Sequence, residues 1–148
     1  MDTAHYYSTD LKWDADRKGT LSSADLDTPI TVATPPQFAK GMPGIWSPEH
    51  LLVAAVNSCL MTTFLAIAEN SKLNFDSFES QASGKLEMVD GRYMISEIVL
   101  KPVVGIGNGA DSEKAGRILA KAEAACLISN SVKSKIIFEP EIKISTTV

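Results

Sequence analysis

The sequence predicts an α+β fold with a mostly antiparallel sheet, on three observations. Residues 51–68 form one long apolar run without a formal charge, LLVAAVNSCLMTTFLAIA, which reads as a single long helix. Residues 78–89 alternate in polarity and end at Asp90-Gly91, a strong hairpin signal, before a return strand over 93–104. Ala115, Ile118, Leu119, Ala122 and Cys126 then recur at helical spacing, ahead of a last strand around Ile142 and Ile144. Strands, long helix, hairpin, helix, strand is an α+β order, and 148 residues fit one domain over 1–148.

Each element has a local cause. Residues 7–14 and 20–23 read as strands around the turn ADRKG, with Thr31, Val32 and Ala33 at the centre of a third. FAKGMPGIWSPEH is a loop, broken by Gly41, Pro43 and Gly44, with Met42, Ile45 and Trp46 as its apolar members. Ser47-Pro48-Glu49 starts the long helix: Ser47 caps, Pro48 suits the first helical position, and Glu49 complements the dipole. A helix running to about Asn70 is about 35 Å long and apolar on nearly all sides, so it belongs in the centre of a core. In the hairpin, Phe78, Ala82, Leu86 and Met88 share one face, while Glu79, Gln81, Lys85 and Glu87 share the other. The loop GIGNGAD lacks the Lys-Ser/Thr of a phosphate loop and leads to a second helix capped by Asp111 or Ser112. In the last strand Ile142 and Ile144 face inward and Lys143 outward.

Composition narrows the function. A net charge of −4 with no basic run longer than two residues argues against nucleic acid as partner. Asn57, Ser58, Thr62 and Thr63 interrupt the apolar run and acidic residues flank it, so a core helix is expected and not a membrane span. The start MDTAHYYSTD has no secretory pattern, which gives a cytoplasmic expectation, with thiols kept reduced. His5 and His50 are the two histidines, and no metal-ligand spacing is present; neither metal nor cofactor is expected.

Two cysteines, Cys59 and Cys126, carry the candidate chemistry. On separate helices they are either two small core residues or a redox couple, depending on whether the fold brings them together. A thiol attacks peroxide only as thiolate, and burial in an apolar helix opposes ionisation. A reactive Cys59 therefore calls for a nearby cation, which residues 51–68 do not supply. Arg17, in the turn DADRKG, is the best candidate, with Glu49 as its counter-ion; on one straight helix Glu49 and Cys59 would be about 15 Å apart, so Glu49 belongs either to its own subunit's site or to the partner's.

SPEHLLVAAVNSCLMTTFLAIAE followed by AEAACLISNSV resembles the OsmC/Ohr family of thiol-dependent peroxidases: a Pro-Glu helix start, a cysteine ten residues after the glutamate, and a second cysteine before a Ser-Asn segment. The resemblance implies an OsmC-like fold, with a long central helix wrapped by sheet, in an intertwined homodimer whose interface site reduces organic hydroperoxides and hydrogen peroxide. It implies Cys59 as the peroxidatic cysteine, Cys126 as the resolving one, Glu49 as the motif glutamate and Arg17 as the family arginine. A thiol or dithiol would be the external reductant. Leu127 departs from the proline that commonly follows the second cysteine in the two best-known branches, and VAAVNS fits the broader OsmC-like group better than either. The competing function is a binding or redox-sensing protein of the same fold, holding an apolar ligand at the dimer interface.

Overall fold

A computed structural model describes residues 3–145. The sequence expectation is one domain; the structure divides into two compact units, Met1–Leu51 and Leu52–Val148. The fold is α+β, with one long helix and both antiparallel and parallel strand pairs.

The first unit is built on a three-stranded antiparallel sheet of β1 (Asp10–Ala15), β2 (Lys18–Ser22) and β3 (Ile30–Ala33). Asp16 takes a positive φ of 49° at the β1–β2 turn, and the Trp13 indole donates to its carbonyl at 3.0 Å. Gly19 sits where this sheet is tightest: a Cβ there would lie 2.6 Å from the Lys12 carbonyl oxygen, so only glycine fits without a shift. The loop expected over 38–50 returns to the sheet, with the Trp46 carbonyl accepting from the Ala33 amide at 2.8 Å.

Helix α1 (Pro48–Asn70) has the expected bounds. Ser47 Oγ accepts from the His50 amide at 3.1 Å and also meets His50 Nδ1 at 2.6 Å, so the predicted cap is made twice over. The helix is long and apolar enough to cross a membrane by length and composition alone. One stripe of it, Val56, Cys59, Leu60, Phe64 and Ala68, is buried. Met61 and Leu65 on another face are 39% and 40% exposed, so a single protomer does not bury the helix on all sides.

The second unit carries β4 (Ser77–Val89), β5 (Arg92–Ile106), α2 (Ser112–Ala125), β6 (Lys135–Phe138) and β7 (Glu141–Ile144). β4 and β5 form the predicted hairpin, with positive φ at both Asp90 (49°) and Gly91 (79°), as a tight two-residue turn requires. The register shifts between Lys85 and Leu86, leaving Ser96 of β5 without a partner across the ladder. Beyond that bulge Met88 is 54% exposed, and not on the inward face with Phe78 and Ala82.

The sheet is less antiparallel than the sequence suggests. β6 and β7 both pair with β5 in parallel, because α2 lies between them in the chain and a helical crossover returns a strand in the same direction. β6 meets residues 97–100 of β5 and β7 meets residues 103–106. Pro102 falls in the gap and has no N–H to offer a ladder, so this side of β5 is covered by two short strands in place of one. β6 has no counterpart in the sequence reading, and Ile144 at the end of β7 is 49% exposed, not inward-facing.

The core of this unit joins the α1 stripe to Ile98, Leu100, Val104 and Ile106 of β5 and to Ala115, Ile118, Leu119 and Ala122 of α2. Phe64 packs against Phe75 and Phe78, each with ring centres 5.1 Å away. Burying one side chain of this size contributes about 1.5–3 kcal/mol, so Phe64 is a principal anchor of α1 on the sheet. Gly84 lets the strand lie close to the helix, since a Cβ there would come within 2.6 Å of Val53 Cγ2.

Candidate functional site

The four candidate residues fall into two pairs, one in each unit. In the second unit, Cys59 and Cys126 are both free and buried, and each thiol shifts the ionisation of the other. Cys59 comes from the middle of α1. Cys126 is the residue at which α2 stops: its φ of −63° and ψ of 112° leave the helical region, and its amide makes the last bond, 3.2 Å to the Glu123 carbonyl. A helix ending there aims Cys126 at the stripe of α1 that carries Cys59.

The two thiols are not equivalent. Burial pushes the Cys59 thiol up, but hydrogen bonds from the Cys126 side chain, the Ile128 backbone, the Thr63 hydroxyl and the Leu127 backbone outweigh it, and the net effect lowers its pKa. Thr63, one turn along α1, places its Oγ1 3.8 Å from Cys59 Sγ. Burial also pushes the Cys126 thiol up, the Ser129 side chain and backbone oppose this, and the neighbouring Cys59 adds to the rise; the net effect is upward. The two shifts run in opposite directions, favouring the thiolate at Cys59 and the thiol at Cys126.

The segment after Cys126 makes this arrangement possible. Asn130 N donates to the Cys126 carbonyl at 3.1 Å, Ser131 Oγ to the Leu127 carbonyl at 2.8 Å, and Ser131 N to the Ile128 carbonyl at 2.9 Å. Those three carbonyls are tied into a 3-10 turn over Ser129–Ser131, which fixes the backbone that follows Cys126. Sequence reasoning passes over Thr63, Leu127, Ile128 and Ser129 because two of them act through the backbone. The turn-forming run Ser129-Asn130-Ser131 directly after Cys126 is the signal that could have found them. The groups that lower the Cys59 pKa are neutral donors, and no charged side chain is among them.

Arg17 and Glu49 line one cleft of about 470 Å³ in the first unit, with Leu11, Trp13, Phe38 and Pro48. Arg17 is exposed at the β1–β2 turn. Glu49 Oε1 is buried and has no hydrogen-bond partner, and the three ion pairs found among the described residues do not include Arg17–Glu49. The two expected partners therefore share a cleft without closing on each other. No cluster of three or more His, Cys, Asp or Glu suited to a metal occurs among the described residues.

Comparison with known proteins agrees with this architecture. Residues 41–141 match the family model described as OsmC-like protein. The peroxiredoxin OsmC of Escherichia coli is 28% identical over 97 residues, covering 66% of this chain and 67% of that protein. An OsmC-like protein of unknown function from Vibrio cholerae superposes with a TM-score of 0.83 at 22% identity, over 93% of this chain and 99% of that one. An organic hydroperoxide resistance protein from Elizabethkingia anophelis gives 0.77 at 18% identity, over 98% and 100%. With a family match across most of its length, and the same fold over nearly all of it, this chain belongs to the OsmC/Ohr family.

Proposed function

We propose that this protein is a cysteine-based peroxidase that reduces organic hydroperoxides, and also hydrogen peroxide, with Cys59 as nucleophile and Cys126 as resolving thiol. The observation that carries the reading is that both cysteines are free and buried and that each influences the other's ionisation, with Cys59 shifted toward thiolate and Cys126 away from it. The names of relatives, a peroxiredoxin and a hydroperoxide resistance protein, support the same class of chemistry.

The steps follow from the two sulfurs. Cys59 thiolate attacks the terminal oxygen of the hydroperoxide; an S–O bond forms, the O–O bond breaks, and the leaving alkoxide takes a proton to depart as alcohol. Cys59 is then a sulfenic acid, oxidised by two electrons. Cys126 thiol attacks that sulfur, the S–S bond forms, and hydroxide leaves with the thiol's proton as water. Two equivalents of an external thiol, or one dithiol, return both cysteines to the reduced state. In this scheme Arg17 meets the oxygen that leaves and Glu49 is its counter-ion, so the empty hydrogen-bond position at Glu49 Oε1 is where the guanidinium would dock. The volume of the cleft and its Leu11, Trp13 and Phe38 lining suit a substrate with an apolar body.

The reading includes a homodimer. The exposed Met61 and Leu65 on α1, and Leu11 and Trp13 on β1 at 68% and 73% exposure, are apolar surface that a second copy would cover. It also places the protein in the cytoplasm, where thiol reductants are abundant. The test is to add cumene hydroperoxide to the reduced protein and follow thiol loss by rapid quench. Both thiols should disappear in one kinetic process, far faster than a free model thiol reacts, and return with a dithiol. A Cys59 that reacts no faster than the model thiol ends the proposal.

A further inference from the structure

We infer that His50 is a positioning residue for Glu49: its imidazole, held with the proton on Nε2, accepts the Ser47 hydroxyl at Nδ1 and fixes the first turn of α1, so that the Glu49 carboxylate stays in the cleft it shares with Arg17. This rests on the peroxidatic reading for its functional meaning, but not for its test.

The hydrogen bonds at Ser47 settle the tautomer. Ser47 is fully buried, and its Oγ accepts from the His50 amide at 3.1 Å and lies 2.6 Å from His50 Nδ1. A serine hydroxyl carries one hydrogen, and a neutral imidazole has one nitrogen that donates and one that accepts. Among the described residues the Ser47 hydroxyl has no hydrogen-bond partner other than His50. Its hydrogen therefore goes to Nδ1, and the imidazole keeps its own proton on Nε2. A proton on Nδ1 would leave the Ser47 hydrogen buried without an acceptor, which is the costly arrangement.

An ordinary helix cap joins a side chain to a backbone amide. Here the residue that gives the amide also gives the acceptor, so the segment from Ser47 to His50 is closed by two bonds across Pro48 and Glu49. The Trp46 ring meets the imidazole edge to face, with centres 6.1 Å apart and planes at 83°. His50 is exposed, so it contributes through these contacts and not by filling the core.

The same loop is registered on β3. The Trp46 carbonyl accepts from the Ala33 amide at 2.8 Å, and the next amide, that of Thr34, donates to the Arg17 carbonyl at 3.2 Å. Arg17 and Glu49 thus hang from adjacent amides at the end of one strand, Arg17 directly and Glu49 through Trp46 and the Ser47–His50 closure. Glu49 Oε1 is buried without a partner. A carboxylate oxygen in that state gains by turning to water, and a fixed first turn limits how far it can turn.

The experiment has one arm on the unaltered protein and one on variants. Long-range proton–nitrogen NMR at a pH of about 8, where imidazole is ordinarily neutral, reads which ring nitrogen carries the proton. His5 is the only other histidine, so His50→Asn assigns the signals. The second arm labels Glu49 with a water-soluble carbodiimide and an amine, read by peptide mass spectrometry, while circular dichroism reports folding. His50→Leu removes the acceptor and should raise the labelling rate of Glu49 by about threefold. His50→Asn puts an amide oxygen where Nδ1 stands and should restore the parent's rate. Ser47→Gly keeps a tolerated cap residue without the hydroxyl, so it should release the tautomer and raise labelling as His50→Leu does. If His50→Leu does not fold, Ser47→Gly and the tautomer decide. A parent protein with the proton on Nδ1 overturns the inference, as does a folded His50→Leu or Ser47→Gly that labels at the parent's rate. So does a His50→Asn that labels as fast as His50→Leu, the result that lost packing alone would give. Because neither arm uses peroxide, failure here leaves the peroxidase reading standing, and failure of that reading leaves this result standing.

Discussion

The cysteine corner and the Arg17–Glu49 cleft differ in one respect that matters: the first is electrostatically complete and the second is not. Around Cys59 each donor is neutral, each comes from the same unit, and the carbonyls that would compete are tied back. In the cleft a carboxylate oxygen is buried without a partner, and the guanidinium that lines the same space does not reach it. A nucleophile can be prepared in advance by fixed dipoles, because its charge is there before substrate arrives. A group meant for a leaving oxygen gains by staying unengaged until that oxygen appears. Under the proposed function the cysteine corner is the half that prepares the nucleophile and the cleft is the half held for the leaving oxygen.

The largest expected effect comes from the nucleophile. Cys59→Ser should reduce peroxide consumption by on the order of 10³-fold or more, measured with a coupled dithiol assay. Cys126→Ser should also lose turnover but still complete one fast attack on peroxide and then stall; loss of that first attack would break the comparison. Its sulfenic acid on Cys59 should be trapped by a dione reagent and seen by mass spectrometry; absence of the adduct removes Cys126 from the resolving role.

The cleft gives the next largest effect, and in two directions. Glu49→Gln changes a side chain whose Oε1 is buried without a partner, so chemical denaturation should show an unchanged or slightly raised stability, by about 1 kcal/mol. Turnover should nonetheless fall by about tenfold, because the docking position for Arg17 is lost. Arg17→Ala should lower turnover similarly while leaving the pH profile of Cys59 alkylation in place. A shifted alkylation profile in Arg17→Ala would mean that the cation also prepares the nucleophile and that the two halves are not separate.

The pH dependence sharpens the first half. The thiol pair should titrate in two apparent steps, one below and one above the ordinary thiol pKa of about 8.5. For Cys59 the folded pKa is depressed, so its contribution to stability is present above the unfolded thiol's pKa and lost as pH falls through the folded value. Cys126 has the opposite sign: a raised folded pKa contributes below the unfolded value and is lost as pH rises through the folded one. Removing Cys126 should therefore flatten the alkaline loss of stability in urea titrations of the reduced protein.

How much of this was legible in the sequence depends on whether a feature belongs to a side chain or to the backbone. α1, its Ser47-Pro48 start, the Asp90-Gly91 turn and α2 are legible because caps, turn residues and periodicity act over a few positions. β6 and the parallel pairing are not, because both depend on where a helical crossover returns the chain. The inward assignments of Met88 and Ile144 fail for local reasons: a bulge at Ser96 and the last position of an outer strand. In the site, Cys59 and Cys126 stand out as residue types, but their contact is tertiary. The backbone groups of Leu127 and Ile128 that bear on Cys59 have no side-chain signature at all.

The smallest effect tests the neutral-donor half at its weakest member. Thr63 Oγ1 lies 3.8 Å from Cys59 Sγ, a long contact even for sulfur, and Thr63 is also free to find other partners on the helix. Thr63→Val keeps the β-branched shape and removes only the hydroxyl. A weak contact of this kind contributes about 0.5 kcal/mol, so alkylation of Cys59 at neutral pH should slow by roughly two- to threefold, with the inflection moving slightly upward. An effect of about tenfold or more would make Thr63 the main group that prepares the nucleophile, and no effect at all would show that its 3.8 Å contact contributes nothing.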